Sequence, residues 1–84
     1  MKKFLVIKHR RWNNLCKVSR KEVTAESAEA ALMVECKEKI EAWEEDYEEK
    51  FDDDVLKLFE ETATCDGVLA VEDGEGNLVT IIEI

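Results

Sequence analysis

The sequence predicts an α+β fold of the order β-β-α-(α)-β-β. One mainly antiparallel four-stranded sheet would carry a long acidic amphipathic helix on one face. Two candidate strands, one apolar and one polar-rich, precede the central region, and two apolar candidate strands follow it. Between them, apolar residues recur at intervals of three or four, which is the spacing of a one-sided helix. The 84 residues are enough for one modest core, so residues 1–84 should form a single domain.

Residues 3–24 are expected to form a β-hairpin. Phe4-Leu5-Val6-Ile7 has four consecutive apolar residues, which is typical of a strand with both faces at least partly covered. Asn13-Asn14 tolerates the left-handed backbone of a tight turn. Leu15–Val23 follows with the polar-rich alternation of an edge strand.

The central helix should begin after Ser27, whose hydroxyl would accept a hydrogen bond from the N–H of Ala30. Glu29 lies in the first turn, where the helix dipole favours a negative charge. The apolar stripe predicts a helix over about 28–50 with its members, Trp43 and Tyr47 included, in the core: Ala28, Leu32, Cys36, Ile40, Trp43, Tyr47 and Phe51.

A break or kink is expected at Asp52–Asp54. A straight helix over 28–62 would be roughly 52 Å long, more than a domain of this size can cover. Aspartate is a good N-cap and a poor interior residue, so a second short helix over about 53–63 should follow.

A second hairpin should close the domain. Thr64–Gly67 is predicted to be the turn that leaves the helical region, with Gly67 at positive φ. Val68–Val71 and Leu78–Ile84 are then two strands around the glycine-rich loop 73–77. In these strands and in residues 4–7, apolar residues occupy both odd-numbered and even-numbered positions, so both faces of the sheet are apolar. A single helical layer can cover only one of these faces. A homodimer is therefore expected.

The strand-to-helix junction has the pattern Val-x-Ala-x-Ser-x-Glu-Ala, carried by Val23, Ala25, Ser27, Ala28, Glu29 and Ala30-Ala31. Over about ten residues it resembles small proteins of phages and mobile elements described as DpnD/PcfM-like. The resemblance implies a strand that leads into an amphipathic helix and brings no functional residues. The small size, acidity and α+β form are also similar to anti-CRISPR and anti-restriction proteins.

Charge is distributed very unevenly along the chain. Residues 1–24 have a net charge of +7, whereas residues 41–61 contain eleven carboxylates and two lysines and have a net charge of −9. Because carboxylates at i,i+3 and i,i+4 repel each other, a helix built only for solubility would alternate the signs. One interpretation is that these carboxylates form only a solvated face.

The functional interpretation is a docking surface for a basic partner, with carboxylates repeating about every 6 Å along the helix axis. This spacing is similar to that of phosphates on a nucleic-acid strand. The predicted function is a phage-encoded or mobile-element-encoded inhibitor of a host nucleic-acid-binding machine of the CRISPR or restriction type. The residues predicted to bind the partner are Glu41, Glu44, Glu45, Glu48, Glu49, Asp52 and Asp53.

The alternatives are a nucleic-acid-binding module or a structural oligomerisation domain. In the first, cations beside an aromatic side chain would hold phosphates and stack a base, and the candidates are Lys8, Arg10, Arg11, Trp12 and Lys17. The negative net charge disfavours direct nucleic-acid binding, so these cations are expected to pair with carboxylates of the same chain or of a second copy.

No catalytic signature, metal set or cofactor motif is recognised, so the chain is expected to be a non-enzymatic protein without a cofactor. His9 has no evident Ser or Cys partner, and Asp52–Asp54 lacks the spacing of a calcium loop. Cys16, Cys36 and Cys65 are expected to be reduced thiols. With no membrane span or signal peptide apparent, a cytoplasmic location is expected.

Overall fold

The computed structural model describes residues 1–12, 15–51 and 55–84, with no side-chain placement for Trp12. A five-stranded sheet is covered on one face by two α-helices and one 3₁₀ turn. The elements are β1 (Lys2–Trp12), β2 (Leu15–Ala25), α1 (Ala28–Glu35), α2 (Lys37–Tyr47), the 3₁₀ turn (Val55–Leu58), β3 (Glu61–Cys65), β4 (Val68–Glu72) and β5 (Asn77–Glu83).

The strands lie in the order β2-β1-β5-β4-β3, and every neighbouring pair is antiparallel. The last strand of the chain, β5, is therefore the middle strand, between the two hairpins β1–β2 and β3–β4. The edges of the sheet are β2 and β3.

The core lies between the sheet and the helical layer. Alternate residues of the inner strands point into it, because successive side chains of a strand point to opposite faces. Strand β1 contributes Phe4 and Val6, and β5 contributes Ile81. The other fully or nearly buried apolar residues are Ala25, Ala31, Leu32, Cys36, Val55, Leu69 and Val71.

The expected four-stranded sheet is wrong, because a fifth strand occupies part of the segment predicted to be a second helix over 53–63. Val55–Leu58 forms only a 3₁₀ turn, and Glu61–Cys65 pairs with β4. The spacing of Val55, Leu58 and Phe59 suggested a helix, but β-branched Thr62 and Thr64 suit a strand. Thr64 and Cys65 consequently belong to β3 and not to the predicted turn.

The expected long helix is also wrong, because the helical segment bends at Cys36. This residue has φ −96° and ψ 15°, and it separates an 8-residue helix from an 11-residue helix. The bend keeps its hydrogen bonds: the N–H of Cys36 donates to Leu32 O at 2.9 Å, and the N–H of Ile40 donates to Cys36 O at 2.8 Å. Helix α2 ends before Glu48, which is in the left-handed conformation with φ 54°.

The excess length predicted for a straight helix over 28–62 does not arise, because the helical region ends at Tyr47. The predicted break at Asp52–Asp54 and the predicted turn at Asn13-Asn14 lie outside the described residues.

Several local predictions are confirmed. The first hairpin pairs Lys2 with Ala25 through to Trp12 with Leu15. Ser27 caps α1, and its Oγ accepts a hydrogen bond from the N–H of Ala30 at 3.1 Å. Gly67 has a φ of +72°, in the turn between β3 and β4.

Among the described residues, no helix has the length and apolar character to span a bilayer.

Candidate functional site

Helix α2 and Glu48, the residue that ends it, present a row of exposed carboxylates. Glu38, Glu41, Glu45 and Glu48 follow each other at intervals of three, four and three residues and are all exposed. We call these four residues the acidic stripe. At 1.5 Å per residue, the row extends for roughly 15 Å. No residue of α2 is fully buried, so the helix is attached to the domain along one side only.

The acidic stripe is electrostatically unfavourable towards the C-terminal end of α2, whereas Glu38 lies in the first turn, where the helix dipole favours it. Three neighbouring pairs of like charges cost about 0.2–0.5 kcal/mol each. Glu45 also lies near the C-terminus of α2, where the helix dipole favours cations, yet the last turn contains no basic residue. Among the described residues, no ion pair includes a carboxylate of α2.

The remaining carboxylates of the predicted partner-binding set occupy different environments. Glu44 is only partly exposed, and its Oε2 accepts a hydrogen bond from the N–H of Phe51 at 2.8 Å, so it fixes the chain that leaves the helix. Glu49 is exposed but follows the end of α2. Asp52 and Asp53 lie outside the described residues.

An aromatic cluster holds the end of α2. The ring centroids of Trp43 and Tyr47 are 4.9 Å apart, and those of Trp43 and Phe51 are 5.1 Å apart in an edge-to-face arrangement. The prediction that Tyr47 lies in the core is wrong, because 63% of it is exposed. Trp43 and Phe51 are half-buried, so the apolar stripe ends in a separate surface cluster that packs Phe51 back against the end of α2.

The cations of the first hairpin point to both sides of the sheet. Lys8, Arg10 and Lys17 are on the helix side and line one open cavity of about 800 Å³. Arg11 follows Arg10 and therefore lies on the opposite face. Lys39 of α2 also lines the cavity, and its Nζ is 5.0 Å from the ring centroid of Phe59.

A buried carboxylate lies at the edge of this cavity. The side chain of Glu35 is 1% exposed, and its two oxygens lie 2.8 Å from Lys8 Nζ and 2.7 Å from Lys21 Nζ. Burial would raise the pKa of Glu35, but the hydrogen bonds and positive charges of the two lysines outweigh burial and hold the pKa below its ordinary value. The expected pairing of hairpin cations with carboxylates of the same chain is thus found at Lys8.

The loop between β4 and β5 provides a second ordered carboxylate in the cavity wall. Asp73 Oδ1 accepts hydrogen bonds from the N–H groups of Glu75 and Asn77, and its Oδ2 accepts one from the side-chain amide of Asn77 at 2.7 Å. Although burial acts to raise the pKa of Asp73, these hydrogen bonds and Lys39, whose Nζ is 3.9 Å away, hold it below its ordinary value.

The expectation that His9 lacks a cysteine partner is wrong, because the hairpin brings Cys16 to it. His9 Nε2 and Cys16 Sγ are 2.8 Å apart at an exposed position. This pair was missed because the two residues become neighbours only when β1 and β2 align. Within 1–12, 15–51 and 55–84, no three His, Cys, Asp or Glu residues cluster as metal ligands would.

Two other residues of the site were missed. Glu38 joins the acidic stripe, and its spacing of three from Glu41 could have indicated this. Glu35 is one of many glutamates in the sequence, and nothing local distinguishes it. Its role depends on lysines from both strands of the hairpin.

No protein-family model, curated protein or solved structure matches the chain.

Proposed function

We propose that this protein is a small interaction protein whose acidic stripe docks on the basic surface of a nucleic-acid-binding protein and inhibits it. The partner would be a host machine of the CRISPR or restriction type, and the protein would be encoded by a phage or mobile element. The observation that carries the proposal is the state of α2. The carboxylates of the acidic stripe are exposed, belong to no ion pair among the described residues and repel one another along the helix.

The geometry supports docking because the stripe is presented by a fixed element. The aromatic cluster of Trp43, Tyr47 and Phe51 and the hydrogen bond from Phe51 to Glu44 hold the end of α2. The helix backbone is already ordered, so the conformational entropy lost on binding is limited to that of the glutamate side chains. Opposite charge on the partner would accelerate association and relieve the repulsion within the stripe.

The test compares two variants with the same change in net charge. The stripe variant carries Glu41→Lys, Glu45→Lys and Glu48→Lys, which reverse three of the four charges of the acidic stripe. The matched control reverses three exposed carboxylates elsewhere, with Glu26→Lys, Asp66→Lys and Glu75→Lys. Each reversal adds two charges, so both variants change the formal net charge from −9 to −3.

Each protein is immobilised and exposed to the heparin-binding fraction of a bacterial lysate, which is enriched in nucleic-acid-binding proteins. We expect wild type and control to retain a partner that added duplex DNA displaces, and the stripe variant to retain it at least ~10-fold less. Equal retention by the stripe variant would exclude the stripe as the docking surface. Equal loss in both variants would indicate a general charge effect.

A second candidate function is the binding of a nucleic-acid strand in the cavity. Arg10 and Lys17 are directly opposed on β1 and β2, both line the cavity, and neither takes part in an ion pair in the described part of the chain. Fluorescence anisotropy with a labelled single-stranded RNA tests this. Tight binding that disappears with Arg10→Glu and Lys17→Glu would favour the cavity over the acidic stripe.

A further inference from the structure

The face of the sheet that the helices leave uncovered, which we call the open face, is unusually apolar. An antiparallel sheet with one solvated face normally presents polar side chains there. Here the centre of that face contains half-buried apolar side chains from three strands, namely Leu5, Ile7, Val68, Ala70, Leu78 and Ile82. The molecule is only 20 Å thick, which corresponds to one sheet and one helical layer.

The strand register arranges the open face in three rows that run from β2 to β3. The first row is Glu22, Leu5, Ile82, Val68 and Cys65. The second row is Arg20, Ile7, Thr80, Ala70 and Ala63. The third row is Val18, His9, Leu78, Glu72 and Glu61. Large residues and cations thus concentrate at the β1–β2 side, and small residues and carboxylates at the β3–β4 side.

We propose that the open face binds a second copy of this chain, face to face, about a two-fold axis that runs along β5. Because β5 is the middle strand, this rotation places β1 of each copy over β4 of the other and β2 over β3. Sheets that pack face to face lie ~10 Å apart with their side chains interdigitated. The two helical layers would then lie on the outside of the dimer.

The shapes match under this rotation. A shallow hollow of about 440 Å³ lies on the open face beside Ala63 and Ala70. The two-fold axis places Ile7 of the second copy opposite Ala70, and Arg20 of the second copy opposite Ala63. The largest side chains of the second row therefore meet the smallest, which is the condition for interdigitated packing.

The charges match as well. In the third row, Glu72 lies opposite β1 of the second copy at the level of residue 9. Arg11, two residues further along β1, is on the same face and within diagonal reach of that carboxylate. Arg20 of the second copy lies diagonally next to Glu61. Because the interface is isologous, each of these pairings occurs twice in the dimer.

Pairing of two β2 edges is the other way in which two copies could associate, and the charges disfavour it. The edge strand β2 carries Lys17, Arg20 and Lys21, and two such edges side by side would place like charges together. The proposal is independent of the partner of α2, since the acidic stripes stay exposed on the outer surfaces of the dimer.

Sedimentation equilibrium at micromolar concentration tests the proposal. We expect wild type to have twice the chain mass of 9.7 kDa. Arg11→Glu with Arg20→Glu, and separately Glu61→Arg with Glu72→Arg, should each raise the dimer dissociation constant more than ~100-fold, because like charges then face each other. Arg10→Glu with Lys17→Glu changes the helix side of the same strands and should leave the dimer intact.

Mixing the two open-face variants should restore a dimer, because every cation of one then faces a carboxylate of the other. Two results would show that both variants are folded: the circular dichroism spectrum of each variant and the return of a dimer when the variants are mixed. A wild-type monomer overturns the proposal. So does a dimer that survives Glu61→Arg with Glu72→Arg, or a mixture that stays monomeric.

Discussion

The replacement Glu35→Gln tests the contact that joins the helical layer to the first hairpin. The side chain is 1% exposed, and Lys8 and Lys21 approach its two oxygens to 2.8 and 2.7 Å. Glutamine keeps the size and shape of the side chain and removes only its charge. A change in stability therefore measures the ionic contact and not the packing.

The expected loss is about 3 kcal/mol in the free energy of unfolding. The side-chain NH₂ of glutamine would point at a lysine ammonium group, which is also a donor, so it would lack a hydrogen-bond acceptor at a cost of about 1–3 kcal/mol. The charge-assisted hydrogen bonds of the carboxylate would also be lost. Removal of one partner from a buried ion pair costs about 3–5 kcal/mol. The lower end of this range applies, because the side chains of Lys8 and Lys21 are 46% and 58% exposed and can be rehydrated.

Urea unfolding at pH 7 and in acid measures the effect. Because the pKa of Glu35 is lowered in the folded protein, its stabilising contribution is present above the ordinary value of 4.5 and is lost as the pH falls through the folded pKa. The difference between wild type and Glu35→Gln should therefore shrink below pH 4.5. A loss under 0.5 kcal/mol at pH 7, on the order of an ordinary surface change, would refute the reasoning, as would a difference that does not depend on pH.

The double replacement Lys8→Met and Lys21→Met should reverse the sign of the contribution that Glu35 makes to the free energy of unfolding. Without the lysines, burial is the dominant influence and raises the pKa of Glu35 above its ordinary value. The buried charge then destabilises the fold at neutral pH, and the contribution of Glu35 to stability should improve as the pH falls towards 4.5.

The other predictions concern single contacts. Ser27→Ala removes the cap of α1 and should cost about 1 kcal/mol in chemical unfolding; no change would show that the cap is dispensable. Gly76→Ala should cost more than Gly67→Ala by ~1–2 kcal/mol, because at Gly76 a Cβ would meet the carbonyl oxygen of Arg11, whereas at Gly67 the nearest atom is 3.9 Å away. Equal thermal shifts would contradict this. Asp73→Ala should lower the thermal midpoint at pH 7 and less in acid, because the pKa of Asp73 is lowered in the folded state.

The parts of the fold that were predicted from the sequence depend on local signals. The first hairpin follows from the apolar run Phe4–Ile7 and the polar-rich alternation of Leu15–Val23, and the start of α1 follows from Ser27 and the alanines after it. Strand β3 could not be recognised in this way. Glu61–Cys65 lacks a large apolar side chain, and it becomes a strand through its backbone pairing with β4.

The bend at Cys36 was likewise not predictable from periodicity. The apolar stripe continues through Cys36 without interruption, whereas Glu35 just before it is bound to two lysines on the sheet. Tyr47 continues the stripe in sequence, but its ring packs on Trp43 in the aromatic cluster and 63% of it is exposed. A stripe thus predicts the inward side of a helix and not how far along the helix the core extends.

The candidate site was predicted in composition and not in arrangement. The acidity of the central segment is evident in the sequence, and the exposed row of Glu41, Glu45 and Glu48 follows from helical spacing. The hydrogen bond from the N–H of Phe51 to Glu44 depends on the path of the chain after α2, which the sequence does not reveal. The division of Arg10 and Arg11 between two faces follows from strand alternation once β1 is known to extend to Trp12.

Carboxyl footprinting of the protein with its captured partner tests the docking proposal most directly. Exposed carboxylates are labelled with carbodiimide and glycine ethyl ester, and protection on binding is read residue by residue. We predict protection of Glu38, Glu41 and Glu45, with Glu26 and Glu75 labelled equally in the free and bound protein. Unchanged labelling of the acidic stripe in a saturated complex would contradict the proposal.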